Sequence, residues 1–190
     1  MRSDNGRDNP VAANKLNIKT DVKCDLGSSH CYLAFVRLYS MNSHESGSPR
    51  KDHKTKRPSC FANKTAFKLD NGKLRQIAPG RLHGYQVEID PSERGQSGGI
   101  YDEARRRWLD KPEDDAPSLK ALKSNQWNHM RIKCDGDHIQ SWVNGVQAAD
   151  LKDDVTPNGF IALQVHGANG RKQVFNTQVQ WRNIRIKLLD

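Results

Sequence analysis

Apolar and polar residues alternate along several short stretches of this chain, which is the pattern of β-strands with one buried face. The alternation is clear in residues 84–90 (GYQVEID), 127–134 (WNHMRIKC) and 138–143 (HIQSWV). No long stretch has the period of an amphipathic helix, and only residues 119–124 (LKALKS) indicate a helical turn. Many short strands without long helices predict an all-β fold, an antiparallel β-sandwich.

Asn-Gly dipeptides mark two tight turns between alternating stretches. Asn71-Gly72 divides residues 65–77, and Asn144-Gly145 divides residues 138–151. This dipeptide favours turns whose central residues both have positive φ, the usual connection of a tight β-hairpin. We therefore predict one hairpin at each dipeptide.

The N-terminal part of the chain differs from the rest in charge and in aromatic content. Residues 1–80 carry 15 Lys and Arg against 7 Asp and Glu, whereas residues 81–190 carry 16 against 15. All four tryptophans lie in the second part. We therefore predict a basic, atypical and partly disordered segment over 1–64, followed by a β-sandwich domain over 65–190.

Two strands and a basic cluster are predicted within this N-terminal segment. Residues 16–24 and 31–40 alternate, and we expect them to pair with each other through the turn at 25–29 (DLGSS). The basic cluster at 50–57 lacks interleaved aromatic residues and a recognisable binding fold. It indicates a solvated loop, so no nucleic-acid partner is predicted.

The four cysteines do not have the spacing of a tetrahedral metal site, because no C-x-x-C pair is present. A disulfide between Cys24 and Cys31 is one alternative for an exported protein, and free thiols are the other. The chain has no apolar run after its first arginines and no stretch near the roughly 20 apolar residues of a membrane span. Neither a signal peptide nor a membrane span is predicted, and the localisation stays open.

Strand alternation sorts the side chains of two stretches, 84–90 and 160–167, into an apolar and a polar face. The apolar set is Tyr85, Val87 and Ile89 in the first stretch and Ile161, Leu163 and Val165 in the second. The polar set is Gln86, Glu88, Asp90, Gln164 and His166. If both strands lie in one sheet, the polar set lines one groove; the alternative is a solvated outer face.

A third stretch, GGIYDEARRRWL, adds further candidates. Gly98 and Gly99 permit a tight turn or a close approach of the backbone to another group. Tyr101 and Glu103 share a face, where Tyr101 can donate to a hydroxyl group of a ligand and Glu103 can pair with an arginine. Arg105 and Arg107 are the candidate partners of Glu103. Trp108 either stacks on a ring of a bound ligand or packs in the core, and Trp127 and Trp181 are assigned to packing.

Five blocks of the chain, in order, resemble a known family over residues 82–189. They are HGYQVEID, SGGIYDEARRRWL, QWNHMRIKCDGDHIQSWVNGV, GFIALQVHG and VQWRNIRIKLL. They are similar to successive blocks of the 3-keto-disaccharide hydrolase domain family, which implies a concanavalin A-like jelly roll. The opening block of the family has no counterpart in residues 1–64. We therefore expect a sandwich that is incomplete at its N-terminus or completed in an unusual way.

The resemblance implies hydrolysis of a glycoside whose sugar is oxidised at carbon 3. A base removes the acidified hydrogen on carbon 2, the enolate expels the group on carbon 1, and water adds back. The resemblance assigns catalysis to Glu88 and His166. The substrate-binding residues expected are Gln86, Asp90, Tyr101, Glu103, Arg105, Trp108 and Gln164.

Other functions stay open at this stage. No cofactor is predicted, although a divalent ion held by Glu88 and His166 is an alternative way to polarise the ketone. An ordinary glycosidase would instead use two carboxylates, Glu88 with Asp90 or Glu103. The alternatives to an enzyme are a non-catalytic, lectin-like carbohydrate-binding module and an inactive, truncated remnant of the family. A carbohydrate is the expected partner, and members of the family are often exported.

Overall fold

The computed structural model describes residues 15–24, 34–38, 65–69, 72–77, 83–156, 161–165 and 178–189. The strands are β1 (Lys15–Cys24), β2 (Ala34–Leu38), β3 (Thr65–Lys68), β4 (Leu74–Ile77), β5 (Gly84–Val87), β6 (Ile100–Glu103), β7 (Arg107–Asp110), β8 (Trp127–Asp135), β9 (His138–Val143), β10 (Val146–Lys152), β11 (Ile161–Val165) and β12 (Val179–Leu188). A short 3-10 helix, Pro117–Lys120, lies at the start of the predicted helical turn.

The strands form two five-stranded sheets and one separate hairpin. Sheet A has the order β10-β9-β8-β1-β12, and sheet B has the order β11-β2-β5-β6-β7. Among the described residues, the strands β3 and β4 pair only with each other. Every described pairing is antiparallel. The predicted all-β, antiparallel sandwich is therefore confirmed.

The two strands of the N-terminal segment are present, but their predicted pairing with each other is wrong. The strand β1 lies between β8 and β12 in sheet A, with Ile18 opposite both Ile132 and Ile186. The strand β2 lies between β11 and β5 in sheet B. The local turn pattern is misleading because each strand pairs with two neighbours distant in sequence, whereas a two-stranded hairpin would give it only one. Strands from residues 1–64 thus complete the two sheets, while the division at residue 64 stays a prediction.

Both predicted Asn-Gly hairpins are confirmed. At the turn between β9 and β10, Asn144 has a φ of 50° and Gly145 a φ of 85°. Positive φ at both central residues matches the right-handed twist of the flanking strands. The Asn144 side chain also accepts from the amide of His129 and donates to the carbonyl of Ala121, so it anchors the turn to β8.

The core lies between the inner faces of sheets A and B. On β1 and β8, buried apolar residues alternate with more exposed polar ones, as the sequence pattern indicated. The largest of the fully buried apolar side chains are Tyr85, Leu16, Ile18, Ile89, Ile100, Met130, Ile132, Val22 and Val143. Because this cluster contains side chains from both sheets, it fixes the position of the strands that carry the candidate site.

A buried ionic network joins the two sheets at one end of the core. The Arg106 guanidinium contacts the carboxylate of Asp102 on β6 at 2.7 Å and that of Asp153, just after β10, at 2.6 Å. Asp153 also accepts from the hydroxyl of Tyr85. Both carboxylates of this network therefore have a cationic partner, which offsets the free energy of removing them from water.

Candidate functional site

The outward face of sheet B, turned away from the core, brings together side chains of four strands. Continuing β5, the amide of Glu88 donates to the carbonyl of Gly99 at 2.9 Å, and the amide of Gly98 donates to the carbonyl of Glu88 at 2.8 Å. Gln86 and Glu88 therefore point to the face opposite Val87, which lies in the core. The polar face predicted from the sequence is real, but Gln86 and Glu88 are both buried on it.

Glu88 is the most unusual residue of this face. Its side chain is only 5% exposed, and its carboxylate makes no hydrogen bond or ion pair with any residue that the structure describes. Burial, together with the charges of Asp90 and Glu103 and against the opposing charge of Arg94, raises the pKa of Glu88 to about 8. A carboxyl group of this kind is largely protonated at neutral pH and is a strong proton acceptor once ionised.

Asp90 holds the loop that follows Glu88. Its Oδ1 accepts from the amide of Ser92 at 3.0 Å and from the Ser92 hydroxyl at 2.5 Å, and its Oδ2 forms an ion pair with Arg94 at 3.0 Å. Its own amide donates to the hydroxyl of Ser97 at 2.8 Å. The described contacts thus make Asp90 a loop-forming residue and a nearby negative charge for Glu88, while its predicted contact with substrate stays a prediction.

One row of side chains crosses three strands of the face. Gln86 on β5 lies opposite Tyr101 on β6, and Tyr101 lies opposite Trp108 on β7. The Tyr101 and Trp108 rings meet edge to face, with centroids 5.3 Å apart and planes at 81°. Trp108 is half-buried, so it packs against a neighbour and still presents part of its ring at the surface.

Two glycines allow close approaches on opposite sides of sheet B, Gly98 towards sheet A and Gly99 towards Trp108. Gly98 has a φ of 88°, and a Cβ atom there would lie 2.3 Å from the Cβ of Ala148 on sheet A. A Cβ atom on Gly99 would lie 2.9 Å from Cζ3 of the Trp108 ring. The predicted close approach is therefore confirmed, and the indole of Trp108 lies over Gly99, the backbone partner of Glu88.

Gln164 shares this face on the far side of β2. It lies opposite Phe35, and continuing the register between β2 and β5 places Phe35 opposite Glu88. Gln164 and Glu88 therefore occupy one row, two strand spacings or about 10 Å apart. Its Oε1 atom is buried and has no hydrogen-bond partner among the described residues. The second predicted catalytic residue, His166, lies outside the described residues.

Arg105 does not reach the outward face. It is buried on the core side, where its Nε atom contacts Oδ1 of Asp102 at 2.6 Å and its guanidinium lies 5.5 Å from the ring centroid of Tyr85. Asp102 alternates with Tyr101 and Glu103 along β6, which puts the two sets on opposite faces. The geometry therefore gives Arg105 an interior contact, and its predicted role in substrate binding stays a prediction.

Tyr101 lies in a mixed electrostatic environment. Burial and then the charge of Glu103 raise the pKa of Tyr101, while the cations Arg107 and Arg75 act in the opposite direction. Its hydroxyl therefore stays protonated, as a hydrogen-bond donor, through the neutral range. Sequence reasoning missed Arg75 because it lies on β4, in a hairpin whose described residues pair with neither sheet, and no motif marks it.

The described residues hold no group of three or more His, Cys, Asp and Glu side chains arranged to bind a metal ion. In the same part of the chain, no helix has the length and apolar character needed to cross a membrane. Cys24 and Cys134 are buried, and burial raises the pKa of the Cys134 thiol to about 12. The proposed disulfide partner Cys31 lies outside the described residues.

Three solved structures are similar to this chain. The carbohydrate binding module CBM66 from Bacillus subtilis has a TM-score of 0.49 at 9% identity, over 92% of this chain and 75% of that one. The galectin LEC-6 from Caenorhabditis elegans has a TM-score of 0.44 at 10% identity, over 97% of this chain and 92% of that one. A protein from Parabacteroides distasonis ATCC 8503, provisionally described as a glycosyl hydrolase, has a TM-score of 0.42 at 18% identity, over 93% and 79%. No curated protein matches the chain.

A family model matches residues 63–187, which is more than half of the chain. It describes the 3-keto-alpha-glucoside-1,2-lyase-like domain. The match confirms the resemblance seen over 82–189 and extends it to the hairpin of β3 and β4. It supports a function connected with carbohydrates. The chain belongs to the 3-keto-alpha-glucoside-1,2-lyase-like domain family.

Proposed function

We propose that the outward face of sheet B binds a glycoside oxidised at carbon 3, and that Glu88 is the base that removes the proton on carbon 2. The observation that carries the proposal is the state of Glu88: a buried carboxyl without a hydrogen-bond partner among the described residues and with a pKa of about 8. A structural carboxylate would normally be paired or hydrogen-bonded when buried. A general base works best with a pKa near the operating pH, and a pKa of about 8 is much closer to neutrality than the ordinary value of a glutamate.

The reaction is an elimination across carbons 1 and 2. The Glu88 carboxylate takes the proton from carbon 2, and the electron pair of that bond moves towards the carbon 3 carbonyl to form an enolate. The enolate then expels the glycosidic oxygen from carbon 1, which leaves as an alcohol after taking up one proton. The product is an unsaturated keto-sugar. Addition of water across its double bond completes a net hydrolysis.

Neighbouring groups fit the remaining roles. Tyr101, protonated through the neutral range and near two arginines, is suited to donate a hydrogen bond to the developing enolate oxygen. Trp108 offers a partly exposed ring over Gly99 for the apolar face of a sugar. Gln86, Gln164 and Glu103 supply polar atoms for sugar hydroxyls, and the buried Oε1 of Gln164 is an acceptor ready for a hydroxyl donor.

A direct test uses p-nitrophenyl 3-keto-α-glucoside, whose cleavage releases a coloured phenol, and the same glycoside with a hydroxyl at carbon 3. We expect the full chain to cleave the 3-keto-glycoside and not the glycoside with a hydroxyl at carbon 3. Glu88→Gln keeps the size of the side chain but removes the base, so the rate should fall by a factor of about 100 to 10,000. Glu93→Gln, an exposed acid of the adjacent loop, is the matched control and should retain full activity.

The outcomes separate this mechanism from the alternatives. Cleavage of the unoxidised glycoside would indicate an ordinary glycosidase with two carboxylates. Saturable binding without release, by a chain that melts cooperatively, would indicate a carbohydrate-binding module instead. Release that survives in Glu88→Gln would exclude Glu88 as the base.

A further inference from the structure

The outer face of sheet A carries a cluster of cations far from the site on sheet B. Lys19 on β1 lies directly opposite Arg131 on β8 and Arg185 on β12, so three cations form one row across three strands. In the next row Lys133 and Lys187 flank Asn17. We call these five cations, Lys19, Arg131, Lys133, Arg185 and Lys187, the cationic face.

A bulge in β12 contributes to this arrangement. Asn183 has a φ of 53°, and the register between β1 and β12 shifts beside it. The shift lets Arg182 and Arg185, three positions apart, both point outward, whereas a regular strand would turn one of them inward. The Asn183 side chain donates to Oδ2 of Asp21 at 2.7 Å, which holds the bulge against β1.

The acids near the cationic face do not neutralise it. Asp21 lies at one end and accepts from His129, Arg182 and Asn183, and the Asn183 bond is the largest cause that lowers its pKa. Asp135 lies at the other end and pairs with Lys133 at 3.1 Å. Among the described residues, no acid forms an ion pair with Lys19, Arg185 or Lys187, all of which are exposed.

Like charges placed directly opposite each other on neighbouring strands destabilise a sheet. A row of three cations therefore opposes folding slightly, and a bound anion would relieve it. Adjacent cations of a row are about 5 Å apart at the backbone, and successive rows are about 7 Å apart. This grid on an open sheet suits a linear polymer with regularly repeated negative charges.

We propose that the cationic face binds an anionic polysaccharide, one that carries sulfate or carboxylate groups, and does so independently of the site on sheet B. Nucleic acid fits less well. A B-DNA major groove about 12 Å wide admits a two-stranded ribbon, whereas these cations spread over three strands of a five-stranded sheet. Arg131 and Arg182 also lie over the rings of Trp142 and Trp127, at 4.4 and 3.9 Å, where bases of a single strand would stack.

The test measures binding of the full chain by calorimetry to heparin, polygalacturonate, neutral dextran, single-stranded and duplex DNA, and vesicles of phosphatidylserine and phosphatidylcholine. The face variant is Lys19→Gln with Arg185→Gln and Lys187→Gln. The matched control, Lys111→Gln with Lys120→Gln and Lys123→Gln, removes the same charge from exposed positions elsewhere. We expect the face variant to bind the charged polysaccharide about tenfold more weakly and the control to bind within about twofold of the parent.

Tighter binding to heparin than to polygalacturonate would identify sulfate as the recognised group. Tighter binding to polygalacturonate would identify carboxylate. Equal losses in both triple variants would reduce the effect to net charge and overturn the proposal. Tighter binding to DNA or to vesicles than to either polysaccharide would overturn it as well. Cleavage of the 3-keto-glycoside should be unchanged in the face variant. If that variant does not fold, Lys19→Gln alone should weaken binding about twofold to fivefold.

Discussion

The outward face of sheet B and the outer face of sheet A carry the same kind of pattern with opposite consequences. Each places like charges close together: Glu88 near Asp90 and Glu103 on sheet B, and Lys19 between Arg131 and Arg185 on sheet A. Glu88 is buried, whereas Lys19 is exposed. Water screens the cations, so their repulsion is small, while the carboxyl of Glu88 responds by keeping its proton.

The difference in burial gives the two clusters of like charge different functions. An exposed cluster of like charges attracts a partner of opposite charge. A buried cluster shifts a pKa towards neutrality and so creates a group that can exchange a proton during a reaction. Both clusters lower the stability of the fold, and we expect the buried one to lower it far more.

The largest effect expected concerns Glu88 and stability. The pKa of Glu88 is about 8 in the folded chain and close to its ordinary value of 4.5 in the unfolded one. The folded state therefore binds more protons between these values, and its stability falls as the pH rises from 4.5 to 8. The Gln side chain of Glu88→Gln does not ionise, so this variant does not lose stability as the pH rises. Its free energy of unfolding should exceed that of the parent by about 3 to 5 kcal/mol at pH 8.5.

Urea unfolding at pH 4.5 and pH 8.5 measures this difference. The advantage of Glu88→Gln should nearly vanish at pH 4.5, where both forms are neutral in the folded state. An advantage that is the same at both pH values would contradict a raised pKa. Glu93→Gln, exposed in the same loop, should show no advantage at either pH.

The next effect concerns the glycine beside the indole. Gly99→Ala would bring a Cβ atom to 2.9 Å from the Trp108 ring and 3.2 Å from the carbonyl of Asp110, so the ring must move. We expect a loss of about 1 to 3 kcal/mol in stability and a raised KM for the 3-keto-glycoside. Gly145→Ala is the control for crowding: no described atom lies within 4 Å of its added Cβ, so it strains only the backbone, at a φ of 85°, and should leave KM unchanged. An unchanged KM would remove Trp108 from the proposed sugar contact.

A smaller effect is expected from Asp90. Asp90→Asn keeps an oxygen that can accept from the amide of Ser92 but removes a negative charge next to Glu88. The pKa of Glu88 should fall, and the rising part of the pH–rate profile should move to lower pH. A profile that does not move, in a variant with the parent's circular dichroism spectrum, would mean that Asp90 does not act on Glu88.

The smallest effect on stability is expected from a substitution on sheet A. Lys19→Gln removes the central charge of the row, so it should raise the free energy of unfolding by about 0.2 to 1 kcal/mol at low salt. The gain should disappear at about 1 M salt, where the screening length is near 3 Å. Destabilisation at low salt would show that the row is held together by contacts other than those described.

The sequence predicted well on which face of a strand a side chain lies, and poorly how deeply that face is buried. Alternation placed Gln86 and Glu88 opposite Val87, and Asn144-Gly145 marked a hairpin, because both features are local. Burial of the polar face depends on segments distant in sequence, so alternation could not reveal it. The same limit explains Trp127, assigned to packing but 38% exposed beneath the guanidinium of Arg182. It also explains why the sequence predicts that β1 and β2 pair with each other, whereas in the structure they lie in different sheets.

Glu88, as a buried base, is the centre of the proposed mechanism, and the pH dependence of kcat/KM for the 3-keto-glycoside tests this role directly. After subtraction of the reaction without protein, the rate should rise about tenfold between pH 7 and pH 9, with an apparent pKa of about 8. A profile that is already flat above pH 5 would mean that the reacting carboxylate has an ordinary pKa. That result would contradict the role proposed for Glu88.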